Sequence, residues 1–295
     1  MFLPQAAKSA RGNRQGKGAK PRKTNGEEST PGRETRRLIS PSISYNCRKK
    51  KENAMEPLYS LIVPAHNEEK TLLPTLEALA AQKTKIPYEI VVACNGCTDN
   101  TAGIAREFAQ TQAPGRVTVA DTEQAGMSFG KNFGARNSNG RILVFIDADT
   151  LIPENALDAI AAAVAGKGEI IGTMAGRPDR GGLVVKACFL IANYVTRRNQ
   201  VHAPGGVMVM QKSVWEKIGG FAEDIPQGTS SDLIMRARAA GAEYVFIGSV
   251  KATTSIRRFE KTGIISQMLA WKKNHRNLEN GHRGEVAARR YDDIR

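Results

Sequence analysis

Apolar residues after Met55 fall into short β-rich runs separated by stretches of helical spacing. The runs Tyr59–Val63, Glu89–Ala93, Arg116–Ala120, Arg141–Ile146, Glu169–Met174, Val207–Met210 and Glu243–Ile247 predict strands. Helices are predicted over Thr71–Gln82, where Leu72, Leu76 and Leu79 share a face, and over Thr101–Gln110, with Ile104, Ala105 and Phe108. Asn155–Val164 and Asp232–Ala240 continue the alternation. Near-continuous Val/Ile runs mark strands covered on both faces, so the sheet is expected to be mostly parallel. The β-α order predicts an α/β fold, an open sheet flanked by helices, with ligands outside the carboxyl ends of its strands. The stretch Leu183 to Val195 (LVVKACFLIANYV) is too short to span a bilayer and contains Lys186; it predicts a buried helix.

The first 54 residues break this pattern. They are rich in Gly, Ser, Lys and Arg and show no sustained apolar period, so they are expected to be a disordered basic tail. The formal charge of +14 over 295 residues sits mostly there: residues 1–54 hold 14 Lys/Arg against 4 Glu. The remaining 241 residues carry only +4, so specific nucleic-acid binding by the core is not expected. Met55 opens MEPLYSLIVPAHNEE directly before the first strand and is a second candidate start. The expected organisation is therefore a tail over 1–54 and one domain over 55–295. The four cysteines, at 47, 94, 97 and 188, form no disulfide framework, which points to a reducing cytoplasm.

Three strand ends carry the candidate chemistry. After Val63, Pro64 removes a ladder donor and ends the strand; His66 and Glu68 then face the crevice, or Glu69 simply favours a helix start. After Ala93 comes Cys94-Asn95-Gly96-Cys97, which reads as a redox pair, half a zinc site or a ligand loop. No second C-x-x-C completes a four-thiolate site. After Ile146 comes Asp147-Ala148-Asp149, whose two carboxylates point to one side of an extended chain. Concentrated negative charge there suits Mg²⁺ or Mn²⁺ with positions left open for phosphates; an Asp-rich turn is the plainer alternative. His202 and His275 are weak candidates for a third ligand.

Basic residues complete the set. Lys131 is placed for a phosphate contact and Asn132 for a positioning hydrogen bond, unless both lie on a solvated helix. Arg257 and Arg258 either close over a diphosphate or anionic acceptor, or form a solvated turn. Ile265, Met268, Leu269 and Trp271, followed by Lys272, Lys273 and Arg276, form a stripe that packs inward or touches a membrane surface.

Taken in order, PAHNEE, N-G-C-T-D-N-T, the spacing from Asn132 and Gly134 to Gly140, FIDAD and GGVMVMQKSVWEKIGGFAED resemble the GT-A glycosyltransferases, and within them family 2. The resemblance spans most of 58–260. It implies a Rossmann-like, mixed but mostly parallel sheet and an inverting transfer from a nucleoside-diphosphate sugar to an acceptor hydroxyl. Asp147 and Asp149 would hold the divalent ion. The donor would contact Pro64, His66, Glu68, Asn95, Asp99, Lys131, Asn132, Asp147, Arg257 and Arg258.

Two departures from the family stand out. Its Glu-Asp pair falls on Thr229 and Ser230, so the expected base passes to Asp232, which could equally be a first-turn residue of the next helix; Glu223 and Asp224 stand in reserve. Asn95 occupies a position where the family tends to place a base-reading Asp. The acceptor stays open among a lipid carrier, a glycan precursor and a small metabolite, with the enzyme cytoplasmic or peripheral at the inner face of the membrane. A nucleotidyltransferase is the nearest alternative, but the acidic, glycine-free PAHNEE does not suit one. A redox or binding protein built on Cys94 and Cys97 is the other.

Overall fold

The strand-forming runs assemble into one eight-stranded sheet in a computed structural model that describes residues 58–225 and 228–280. The expected basic tail and the candidate start at Met55 lie outside those residues. In chain order the elements are β1 (Tyr59–Ala65), α1 (Leu72–Ala80), β2 (Tyr88–Asn95), α2 (Thr101–Thr111), β3 (Val117–Thr122) and α3 (Met127–Arg136). There follow β4 (Ile142–Ile146), β5 (Thr150–Leu151), α4 (Ala156–Val164), β6 (Ile170–Pro178), α5 (Leu183–Asn199) and β7 (Val207–Gln211). The last are α6 (Lys212–Lys217), α7 (Thr229–Ala239), β8 (Glu243–Thr254), α8 (Arg257–Thr262) and α9 (Ile264–Glu279).

The sheet runs β3-β2-β1-β4-β7-β6-β8-β5. Its β3-β2-β1-β4 half is parallel, and β6 is parallel to β8; β7 runs antiparallel between β4 and β6, and β5 antiparallel to β8. The sheet is mixed and mostly parallel, as expected. Alternate residues of each strand feed opposite faces. Leu61, Val63, Ile90, Val92, Val144 and Ile146 pack under α1, α2 and α4, while Ile62, Val91, Leu143 and Phe145 pack under α3, α6 and α7. Burial on both sides explains why the strands read as unbroken apolar runs.

Several elements differ from the sequence reading: β6 and β8 run four and seven residues past their predicted ends, to Pro178 and Thr254, and α7 starts three residues early, at Thr229. β1 continues two residues past Val63, through Pro64 to Ala65. Its pairing with β4 ends at Ile62–Phe145, so the missing N–H of Pro64 falls just beyond the last β4 partner. The segment holding Lys131 and Asn132 is a helix laid directly on the sheet, not a surface one. Gly134 permits this, because a Cβ there would stand 2.4 Å from Ile62 Cγ2. The predicted buried helix at Leu183–Val195 is a helix, but it is not buried. Of its side chains only Phe189 and Thr196 are, whereas Leu183, Val184, Leu190, Ile191 and Tyr194 are exposed.

Candidate active site

The first two strand ends are stitched to each other. Asn67 takes a left-handed backbone (φ 55°), which Asn tolerates better than most residues. Its side-chain oxygen accepts the Thr98 N–H at 2.8 Å. His66 Nδ1–H donates to the Asn95 carbonyl at 2.7 Å, and the Thr101 hydroxyl accepts the Glu68 N–H at 2.7 Å. Asp99 accepts the Glu69 N–H at 3.2 Å and both the amide and hydroxyl of Thr101. Burial pulls the Asp99 carboxyl up, but these hydrogen bonds outweigh it and hold the group below the usual carboxylate range.

Asn95 is turned inward. Its amide is 1% exposed, lies against Gly130 of α3 and donates to the Gly126 carbonyl at 3.0 Å. Its Oδ1 has no hydrogen-bond partner among the described residues.

The third strand end carries the carboxylates. Asp147 N–H donates to the Gly206 carbonyl at 3.1 Å, fixing the turn after β4. Asp147 Oδ1 lies 3.4 Å from Lys131 Nζ, whose buried ammonium stands over the Phe221 ring, 5.3 Å from its centroid. Asp149 Oδ2 lies 3.2 Å from Arg257 Nη2. That same nitrogen is 2.7 Å from each carboxylate oxygen of Glu68, and the Thr71 hydroxyl donates to Glu68 Oε2 at 2.6 Å. The structure thus brings Glu68, Lys131, Asp147, Asp149 and Arg257 together. Pro64 is buried within β1, and the side chain of Arg258 lies outside the described residues.

Asn132 ties α3 to the GGFAED loop. Its Nδ2 donates to the Phe221 carbonyl at 2.9 Å and to Glu223 Oε1 at 2.8 Å, and its Oδ1 accepts the N–H of Phe221 at 2.8 Å. These bonds pin the GGFAED loop beside Lys131. Thr71, Phe221 and Glu223 had weak signals in the sequence. Thr71 stands three residues after Glu68, and Phe221 follows two glycines.

The carboxylates suit a divalent ion. Both are hard oxygen donors, and the Asp147 side chain is 45% exposed, which leaves an approach from solvent. No group of three or more His, Cys, Asp or Glu able to hold a metal occurs among the described residues, so His202 does not join them. Its Nδ1 instead meets Ser231 Oγ at 3.0 Å. The side chain of His275 lies outside the described residues.

Asp232 lies in the first turn of α7, buried, with Oδ2 2.7 Å from Arg236 Nη2 and 2.8 Å from Nε. Arg236 spends its other donors on the carbonyls of Ile218 and Gly220. The Cys94 thiol is pushed up by its hydrogen bond to Cys97 and by burial. Cys97 is lowered to about 6 by that same bond, against the opposing effect of its own burial.

Residues 60–218 match the sequence model of glycosyl transferase family 2. The chain belongs to that family. It is a family 2 glycosyltransferase of GT-A fold. It is 26% identical over 211 residues to the glycosyltransferase AglE of Haloferax volcanii, covering 69% of this chain and 68% of AglE. A probable glycosyltransferase of Bacillus subtilis, YdaM, is 28% identical over 216 residues, which is 68% of this chain and 51% of YdaM. Among solved structures, the mannosyltransferase PcManGT of Pyrobaculum calidifontis, in complex with GDP-Man and Mn²⁺, superposes with a TM-score of 0.57 at 22% identity. That superposition covers 74% of this chain and 65% of PcManGT. S. aureus TarS with UDP-GlcNAc gives 0.56 at 19% identity, over 68% of this chain and 58% of the TarS chain. At these identities the superpositions establish the family 2 fold alone.

Proposed function

We propose that the crevice binds a nucleoside-diphosphate sugar together with Mg²⁺ or Mn²⁺ and transfers the sugar, with inversion, to an acceptor hydroxyl. The observation carrying this reading is the placement of Asp147 and Asp149 at one strand end, each facing a cation from elsewhere in the fold: Lys131 on one side and Arg257 on the other. Two relatives in fold, by their descriptions, bind such donors, one of them with Mn²⁺.

Charge bookkeeping supports it. A divalent ion and a diphosphate arrive as a nearly neutral pair, so Asp147 and Asp149 can turn to the ion while Lys131 and Arg257 turn to phosphate oxygens. When bound, the ion stabilises the charge that develops on the leaving nucleoside diphosphate. The nucleoside would lie across the first two strand ends, near Pro64, His66, Glu68, Asn95 and Asp99.

For the acceptor we assign the base to Glu223. Asp232 is buried in its pair with Arg236, which suits an anchor for α7. Glu223 is exposed and held by Asn132, next in sequence to the Lys131 that faces Asp147. It would take the acceptor proton during attack from the face opposite the leaving group.

Thermal stabilisation by a panel of nucleotides, with and without divalent ions, tests the donor reading on the wild type and on Asp149→Ala. Stabilisation that needs both the ion and Asp149 is expected. Equal stabilisation in EDTA, or in the variant, would remove the metal from the reading.

A further inference from the structure

The apolar face of α5 finds no cover among the described residues. Leu183, Leu190 and Tyr194 repeat at helical spacing, with Val184 and Ile191 beside them, and all five are between 53% and 85% exposed. The helix contains no Asp or Glu, and Lys186, Arg197 and Arg198 are exposed along it. Leu269 of α9, 63% exposed, neighbours the exposed Lys272, Lys273 and Arg276. No described helix is long and apolar enough to cross a membrane.

We propose that the outward face of α5 docks on an anionic lipid bilayer, with Leu183, Leu190, Ile191 and Tyr194 entering the interface and Lys186, Arg197 and Arg198 meeting the headgroups. An apolar stripe edged by cations and free of acids is the composition of a helix lying in a charged interface. Charge selects this occupant over two others. A second copy docked through the same face would gather Lys186, Arg197 and Arg198 of both chains into one interface with no acid on either helix to offset them. The N-terminal segment is itself strongly cationic and would be repelled.

The face is tied to the active site. Asn193 of α5 exchanges two hydrogen bonds with the backbone of Gly176, at 2.8 and 2.9 Å, and Gly176 packs on Pro204 and Gly205, next to the Gly206 that holds Asp147. Phe189 of α5 meets Phe259 edge-on at 5.9 Å, two residues beyond Arg257. A bilayer under α5 would therefore lie close to the crevice, favouring an acceptor hydroxyl carried on an amphiphile. That consequence rests on the proposed transferase reading; the docking does not.

Vesicle flotation of the full chain tests it, using phosphatidylcholine with and without phosphatidylglycerol, no donor present. The wild type is expected to float with the anionic vesicles and to be released by salt. Leu190→Ser/Ile191→Ser, and separately Arg197→Glu/Arg198→Glu, are each expected to cut partitioning at least about tenfold while leaving the melting temperature unchanged. Full flotation of both variants would assign binding to the tail or α9 and overturn the proposal. So would a wild type that does not float, or a dimer in solution that the α5 variants dissociate. Nucleotide stabilisation measured on the wild type separates the two readings. Its absence with flotation intact removes the transferase reading alone, and its presence without flotation removes the docking alone.

Discussion

Arg257 Nη2 stands 2.7 Å from both carboxylate oxygens of Glu68, joining the start of α8 to the loop after β1. Glu68 is buried, so removing its partner strands a charge away from water. Arg257 itself is about a third exposed, which tempers the cost. Arg257→Ala is expected to lose about 1–3 kcal/mol in urea unfolding and to weaken nucleotide binding. Arg257→Lys should recover only part of each, since the shorter lysine does not carry its ammonium to the place Nη2 holds between Glu68 and Asp149.

Glu223→Gln and Asp232→Asn should separate chemistry from stability. The first is expected to lower kcat by about 10²–10⁴, with donor KM and melting temperature little changed. The second breaks the buried pair with Arg236 and is expected to cost about 1–3 kcal/mol of stability, while the folded fraction keeps its turnover. A stable Asp232→Asn protein without turnover would return the base to Asp232.

Gly134→Ala places a methyl against Ile62 in the layer between α3 and β1. Relief requires α3 to lift from the sheet, and α3 carries Lys131 and Asn132. The variant is expected to lose about 1–3 kcal/mol in thermal unfolding and to bind nucleotide more weakly.

Cys97 should alkylate with an apparent pKa near 6, because the hydrogen bond from Cys94 stabilises its thiolate. The group is depressed, so reactivity rises through pH 5–7 and is level above. Peptide mass spectrometry after short iodoacetamide pulses across that range reads the midpoint. Cys94→Ala should move it upward, towards the ordinary thiol value, and bound nucleotide should slow the reaction if the loop lines the donor site.

Most strands were legible in the sequence to within a residue or two, because strands buried on both faces must be apolar throughout. Neighbour order was not legible. Nothing in the run Val207–Met210 announces that it inserts antiparallel between β4 and β6, since pairing is decided by partners far along the chain. β5, with two residues, is too short to leave a pattern. α5 was misread for a different reason: an apolar stripe has the same spacing whether it faces a core or the outside, and only the packing of the rest of the chain tells them apart. At the site, the motif positions showed which side chains to inspect but not their partners. The sequence offers Asp232 as a base or as a first-turn residue without announcing its pair with Arg236, four residues on, and the inward turn of Asn95 depends on the Gly126 carbonyl, 31 residues away.

The Glu68–Arg257 link also orders events during synthesis. Residues 58–151, which supply the first five strands and both aspartates, leave the ribosome well before residue 257. Until Arg257 emerges, Glu68 lacks the cation that it keeps in the folded chain, and Asp149 lacks the same neighbour. The half-made sheet can collapse around its apolar strands, but its crevice carries unbalanced negative charge and would repel a diphosphate. On the proposed donor reading, affinity therefore arrives late in translation, with α8, and a nascent chain stalled before that point should be unable to sequester nucleotide.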